Sequence, residues 1–310
     1  MPRTAILFAG QGAQAVGMAK DLAAAHPTAR ALFDRANESL GYNLATICFE
    51  GPETELTKTE HAQPAIYLVG WIALQLLRER CPGFTFEAAA GLSLGEFTAL
   101  AAAGVFSFEN GLKLVRARGR FMQEACETSR GTMAALIGID EAATRTVCQE
   151  TGVEIANLNC PGQIVISGSS DAIVSACKLA QERGAKRALP LNVAGAYHSR
   201  LMAPAQPKLR ASLQSLQLVS PTVPVVSNVT ARPHGAVAMI APVLVDQVVS
   251  TVRWEDSIRW LLSLGFDQFI ELGPGTALSG FMKRIEKGAR MFNVGDVASL
   301  EQTVNGMRIG

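Results

Sequence analysis

The segment Ala88-Ala89-Ala90-Gly91-Leu92-Ser93-Leu94-Gly95-Glu96-Phe97-Thr98-Ala99-Leu100 constrains this chain more than any other. An apolar run stops at a glycine, and a helix-forming run begins at Leu94. Between them lies Gly-x-Ser-x-Gly, the nucleophile elbow pattern. A serine on a tight strand-to-helix turn is forced into strained backbone geometry, and flanking glycines remove the side chains that would clash there. Its hydroxyl then projects from the fold, and the amide after it faces an incoming carbonyl oxygen. The pentapeptide alone recurs by chance. Its placement between a buried-strand pattern and a helix pattern is what makes Ser93 a candidate nucleophile.

The surrounding pattern is α/β, with short apolar strand patterns alternating with longer helical ones. Strands are expected at 4–8, 88–91, 223–227 and 268–272, and helices at 18–25, 28–40, 64–80, 95–103, 107–126, 254–264 and 277–286. Ser107 is the expected N-cap of its helix. Over 133–191 the pattern changes to β-α-β-β-α-β, with a turn at Cys160-Pro161-Gly162, which is the ferredoxin-like order. The expected architecture is therefore a large α/β-hydrolase-like domain over 1–127 and 197–310 with a small ferredoxin-like subdomain inserted at 128–196. The last fifteen residues or so read as a loosely held tail.

Composition bounds the chemistry. A chain of 310 residues that is 48% hydrophobic can bury a large core, as one big domain or two smaller ones. With 28 basic and 27 acidic residues, it has no phosphate-neutralising track, so no nucleic-acid partner is expected. Its six cysteines form no Cys-x-x-Cys pair and it has only four histidines, so no metal site is expected. Scattered cysteines read as reduced thiols, the N-terminus does not read as a signal peptide, and no apolar stretch reaches membrane-spanning length. The expectation is a cytoplasmic protein without a membrane partner.

Three further features carry chemistry. Gly10-Gln11-Gly12-Ala13-Gln14-Ala15 follows a strand and fits a dinucleotide fingerprint, but the acidic strand end that fingerprint needs is replaced by the helical pattern at 28–40. A tight turn aiming amides at something is the better reading, and Gln11 could help build an oxyanion hole. Among the histidines, His26 precedes Pro27 at a helix end, His61 lies in a polar run and His234 in a turn. His198 alone stands at an expected junction between domains, where clefts form, and is the candidate base. Arg116 and Arg120 share one helix face while Arg118 points elsewhere, toward the inward stripe of Leu112, Val115 and Phe121. A guanidinium at a core edge wants a carboxylate or phosphate partner.

Together, Gly10-Gln11-Gly12-Ala13-Gln14, Gln63-Pro64-Ala65, Gly91 to Glu96, Arg118-Gly119, Asn159 with Pro161 and Gln163, Tyr197-His198-Ser199, Ser227-Asn228-Val229, Arg253-Trp254 and Glu271 to Gly275 follow one another in a single order. Over residues 4 to 296 the chain resembles the malonyl-CoA:acyl carrier protein transacylases of fatty acid synthesis. The resemblance implies Ser93 as acylated nucleophile, His198 as its base and later acid, and the amides of Gln11 and Leu94 as oxyanion hole. It also implies that Arg118 pairs with the malonyl carboxylate, that the Gln247 main-chain carbonyl orients the histidine, and that Gln63 and Asn159 line the pocket. Malonyl-CoA would be a substrate, acyl carrier protein the partner, and no cofactor would be needed. Many members carry His where this chain has Leu92, and often Pro where it has Thr251. The segment Gly195-Ala196-Tyr197 varies with acyl preference among relatives. Two other functions share these residues. A trans-acting acyltransferase serving a polyketide synthase would use the same site with a different carrier. A serine esterase or thioesterase would need an acid and then a late histidine.

Overall fold

The computed structural model describes residues 2–308. In chain order its strands are β1 (Thr4–Phe8), β2 (Ala88–Gly91), β3 (Gly131–Ile137), β4 (Glu154–Cys160), β5 (Gln163–Ser169), β6 (Arg187–Pro190), β7 (Gln268–Leu272) and β8 (Arg290–Val294). They form a parallel sheet of order β2-β1-β7-β8 and an antiparallel sheet of order β4-β5-β3-β6. The fold is thus mixed α/β. The chain divides into two compact units: one runs to Gly119 and takes in Leu216–Val226 and the chain from Leu261 onward, and the other comprises Arg120–Ser215 and Ser227–Trp260. No helix among the described residues is long and apolar enough to cross a membrane.

In the first unit every residue of β1, β2 and β7 is buried, as strands of a parallel sheet covered on both faces must be. Phe8 pairs with both Gly91 and Leu272, so the strands end in register. The segments that follow them, at Gly10-Gln11, Leu92-Ser93 and Gly273-Pro274, emerge on one edge. The carboxyl edge of an open parallel sheet is where ligands bind. Helix Leu94–Ala102 springs from this edge and is buried throughout. It sits so close that a Cβ on Gly95 would fall 2.2 Å from the Phe8 carbonyl oxygen, and one on Gly91 1.9 Å from the Gly95 carbonyl carbon.

In the second unit, β3, helix Glu141–Thr151, β4, β5, helix Ser170–Glu182 and β6 follow one another. Leu136, Val147, Ile166, Ile173 and Ala176 form the core between sheet and helices. Asp140 Oδ1 caps the first of these helices by accepting from Ala143 N–H at 2.8 Å, and Gly162, with φ 68°, makes the β4–β5 turn. Val252 extends the β4 side: its N–H donates to Ala156 O and its carbonyl accepts from Leu158 N–H. Thr251 Oγ1 donates to Ile155 O at 2.6 Å beside it.

Three sequence expectations need correction. The strand expected at 223–227 is reduced to one bridge, Ala89 with Val225, because Pro224 has no N–H to continue a ladder. The expected tail is helix Val297–Arg308, whose Leu300, Thr303 and Val304 are buried at helical spacing and whose Glu301 pairs with Arg80. The helix expected to start at Pro64 begins at Thr59, with Thr59, Ala62 and Gln63 all buried. Tertiary packing there outweighs the preference of proline for a first turn.

Glu271, at the end of β7, is buried and accepts from Leu278 N–H, Ser279 N–H and Ser279 Oγ–H, capping helix Ala277–Ile285. Burial pushes its carboxyl above the usual carboxylate value, against the pull of those hydrogen bonds. A raised folded-state pKa contributes stability at low pH that is lost as pH rises through it. The melting temperature of the wild type minus that of Glu271→Gln therefore falls as pH rises from about 4; a flat or rising difference contradicts this. Gly95→Ala forces the elbow helix off the sheet and costs about 3 kcal/mol or more in urea unfolding, and a near-neutral effect would show that the helix can shift.

Candidate active site

Ser93 is the residue between β2 and helix Leu94–Ala102, with φ 51° and ψ −101°. A side chain with positive φ is strained, and such strain persists only where the surroundings over-determine it. Here they do. Leu92 N–H donates to Phe8 O at 3.1 Å and Gly95 N–H to Leu92 O at 2.9 Å, which pins the turn on both sides of the serine. Leu94 N–H stands at the first helical position, where the preceding turn offers no acceptor, and the positive end of the helix dipole lies there.

Arg118 reaches this serine from helix Phe108–Thr128. Ser107 Oγ accepts from Asn110 N–H at 3.2 Å at the start of that helix, as the sequence suggests. At Gly119 a Cβ would fall 2.4 Å from the Thr59 carbonyl oxygen, so the two helices approach backbone to backbone. That approach buries Arg118 to 1% exposure. Its Nη2 donates to Ser93 Oγ at 3.1 Å, its Nη1 donates to Gln63 Oε1 at 2.9 Å, and its guanidinium carbon lies 5.1 Å from the centroid of the Phe97 ring. Gln63 Nε2 in turn donates to Gln11 Oε1, and Gln11 Nε2 to Thr59 Oγ1, both at 3.5 Å. Ser93, Arg118, Gln63, Gln11 and Thr59 thus belong to one network in the first unit, and Leu94 N–H adjoins it as the residue after Ser93. A buried guanidinium one hydrogen bond from a serine hydroxyl can hold a carboxylate beside it.

His198 belongs to the second unit. It too has positive φ, at 58°, and it is buried. Ser199 locks the turn, donating through Oγ to Ala196 O at 2.7 Å and accepting from Leu201 N–H at 3.3 Å. Upstream, Gly195 lies against Cys126, where a Cβ would fall 2.3 Å from Sγ. Burial pushes the Cys126 thiol up to about 11, and its hydrogen bond with Tyr197 works in the opposite direction. The His198 Nδ1 lies 2.9 Å from the Gln247 carbonyl oxygen. A carbonyl only accepts, so Nδ1 carries the proton and Nε2 is left as the basic nitrogen. Gln247 ends helix Val237–Gln247, where the negative end of the dipole favours an imidazolium. Its side chain donates through Nε2 to Asn228 Oδ1 at 3.3 Å, and the Asn228 carbonyl accepts from Arg253 N–H at 2.9 Å.

Asn159 lies on β4 in the same unit as His198, buried, with an Oδ1 that accepts no hydrogen bond. Three residues of these networks had no assigned role in the sequence reading: Phe97, Thr59 and Asn228. Phe97 had a legible signal, since it stands one helical turn after Ser93. Among the described residues no group of three or more His, Cys, Asp or Glu side chains could hold a metal ion, and the six cysteines are free thiols.

Comparison with known proteins shows the family. A family model described as an acyl transferase domain matches residues 6–300. The malonyl CoA-acyl carrier protein transacylase of Bacillus subtilis is 43% identical, over 99% of this chain and 98% of its own length. That of Escherichia coli is 40% identical over 92% and 93%. The solved complex of a type II PKS acyl-carrier protein with its malonyl-transacylase has a TM-score of 0.95 at 37% identity, covering 98% of this chain and 99% of that one. The chain belongs to the acyl transferase family and, within it, to the malonyl CoA-acyl carrier protein transacylases.

Proposed function

We propose that this acyltransferase moves the malonyl group from malonyl-CoA to the phosphopantetheine thiol of acyl carrier protein, through a malonyl ester on Ser93, in fatty acid synthesis in the cytoplasm. The single observation that carries the substrate class is the Arg118 guanidinium, buried and 3.1 Å from Ser93 Oγ. In a malonyl thioester one methylene separates the carboxylate from the reacting carbonyl. A fixed cation one hydrogen bond from the nucleophile suits that length. A malonyl carboxylate gives the buried cation a charge-assisted pair that an acetyl group does not.

The reaction balances without a cofactor. His198 Nε2 takes the Ser93 proton as Oγ bonds to the thioester carbon, and the carbonyl oxygen becomes an oxyanion held by the Gln11 and Leu94 amides. Its collapse breaks the C–S bond, and the departing thiolate takes the proton back from His198. The carrier thiol then gives its proton to His198 and attacks the ester, and Ser93 leaves with that proton. The Gln247 carbonyl holds the imidazole in the required tautomer, so the pair works as a dyad without a carboxylate. Gln63 orients Arg118, and Asn159 lines the acyl pocket. The architecture fits the same reading. Strand order β4-β5-β3-β6 with the β-α-β-β-α-β succession supports a ferredoxin-like subdomain at 128–196, and the elbow on a parallel sheet supports an α/β-hydrolase-like domain around it.

A second reading keeps the site and changes the carrier, because the solved relative is complexed with a polyketide carrier protein. Transfer assays with both carrier types distinguish the two: faster transfer to the fatty acid carrier supports the first reading and faster transfer to the polyketide carrier the second.

Intact mass after brief mixing with malonyl-CoA or acetyl-CoA tests the chemistry. The wild type gains one malonyl group and Ser93→Ala gains none. Arg118→Ala loses malonyl loading by about a hundredfold or more, as expected for a buried charge-assisted pair. No adduct with either donor, together with turnover of simple esters, would replace this reading with a hydrolase.

A further inference from the structure

Arg118 is held by hydrogen bonds and by the face of an aromatic ring. Gln63 Oε1 and Ser93 Oγ take the Nη1 and Nη2 groups within the guanidinium plane. Phe97 supplies the ring, with its centroid 5.1 Å from the guanidinium carbon. Both side chains are buried, at 0% and 1% exposure, so the attraction between the cation and the ring is not diluted by water. Phe97 also lies on the elbow helix, one turn after Ser93, and that helix is seated on the sheet so closely that a Cβ on Gly95 would fall 2.2 Å from the Phe8 carbonyl oxygen. The ring is therefore fixed relative to the nucleophile.

From this geometry we infer that Phe97 is a positioning residue for donor selection: its ring fixes the Arg118 guanidinium so that the in-plane N–H groups stay aimed at the place beside Ser93 where a donor carboxylate must lie. The inference rests on the proposed role of Arg118. An aliphatic residue at 97 would still fill the core. It would remove the ring face against which the guanidinium lies, and a tilted fork loses the two-point match with a carboxylate. A donor without a second carboxylate does not use the fork, so the loss falls on malonyl-CoA in particular.

The test is the ratio of kcat/KM for malonyl-CoA to that for acetyl-CoA, measured on the full chain with carrier protein. Phe97→Leu lowers this ratio about tenfold, mainly through the KM for malonyl-CoA, and Phe97→Tyr, which keeps the ring, retains it. The double variant Phe97→Leu/Arg118→Ala closes the cycle. In the Arg118→Ala background Phe97→Leu has no further effect on the ratio, which a packing defect alone would not produce. Phe97→Met, of similar bulk, repeats the comparison should the leucine variant fold poorly. A ratio that collapses in Arg118→Ala but survives in both aliphatic variants overturns the role of Phe97 alone. So does equal loss with both donors or an additive double variant. A ratio unchanged in Arg118→Ala overturns the reading of the site, and the Phe97 inference with it.

Discussion

The seat of helix Leu94–Ala102 on the ends of β1 and β2 underlies the rest of the serine network. There is no room for a methyl group at Gly91 or Gly95, so the backbone must turn sharply between them, and Ser93 takes up a positive φ. The strain is local, and the buried sheet supports it: β1 is paired on both sides and covered on both faces. The hydroxyl, the Leu94 amide and the Phe97 ring are all set by that one contact. Gly119 acts in the same way on the other wall of the network. By letting two helices touch through their backbones it carries a charged side chain into the interior with its hydrogen bonds already made. Backbone proximity, bought with glycine, does the positioning in both places.

His198 is built by a different device. Its turn is held by side-chain and backbone hydrogen bonds of Ser199, and its ring by a main-chain carbonyl at a helix end. That helix runs through Pro242 without breaking and stops at Gln247, whose side chain is anchored on Asn228. Sequence position therefore matters less than where the helix ends. An insertion or deletion within Val237–Gln247 would rotate the terminal carbonyl by about 100° per residue, away from the imidazole.

Much of this was legible in the sequence, for identifiable reasons. β1, β2 and β7 were readable to the residue because a fully buried parallel strand is a short apolar run bounded by glycine or a charge. Arg118 was separable from Arg116 and Arg120 by helical spacing alone. The β-α-β-β-α-β succession followed from alternation and turn residues. What could not be read depended on long-range packing. The helix Val297–Arg308 buries only a narrow stripe and resembles a polar tail until its neighbours are known. Pro224 hides a bridge, and Pro64 conceals a helix start that packing extends to Thr59. Phe97 shows why roles lag behind positions: as one apolar residue in a buried helix it looks like core, and only the distance to Arg118 separates it from Phe33 or Phe269.

The proposed reaction also accounts for the neutral partner of the histidine. In a Ser-His-acid triad a carboxylate would stand behind the imidazole. In the proposed reaction that second negative charge would add to the charge of the malonyl carboxylate in a weakly screened interior. A carbonyl at a helix end orients the ring and favours the imidazolium through its dipole, but it adds no net charge. The donor's own carboxylate is then the anion that answers Arg118. In the proposed reaction, then, the charge that selects the substrate comes from Arg118, and the partner that orients the base, the Gln247 carbonyl, brings none.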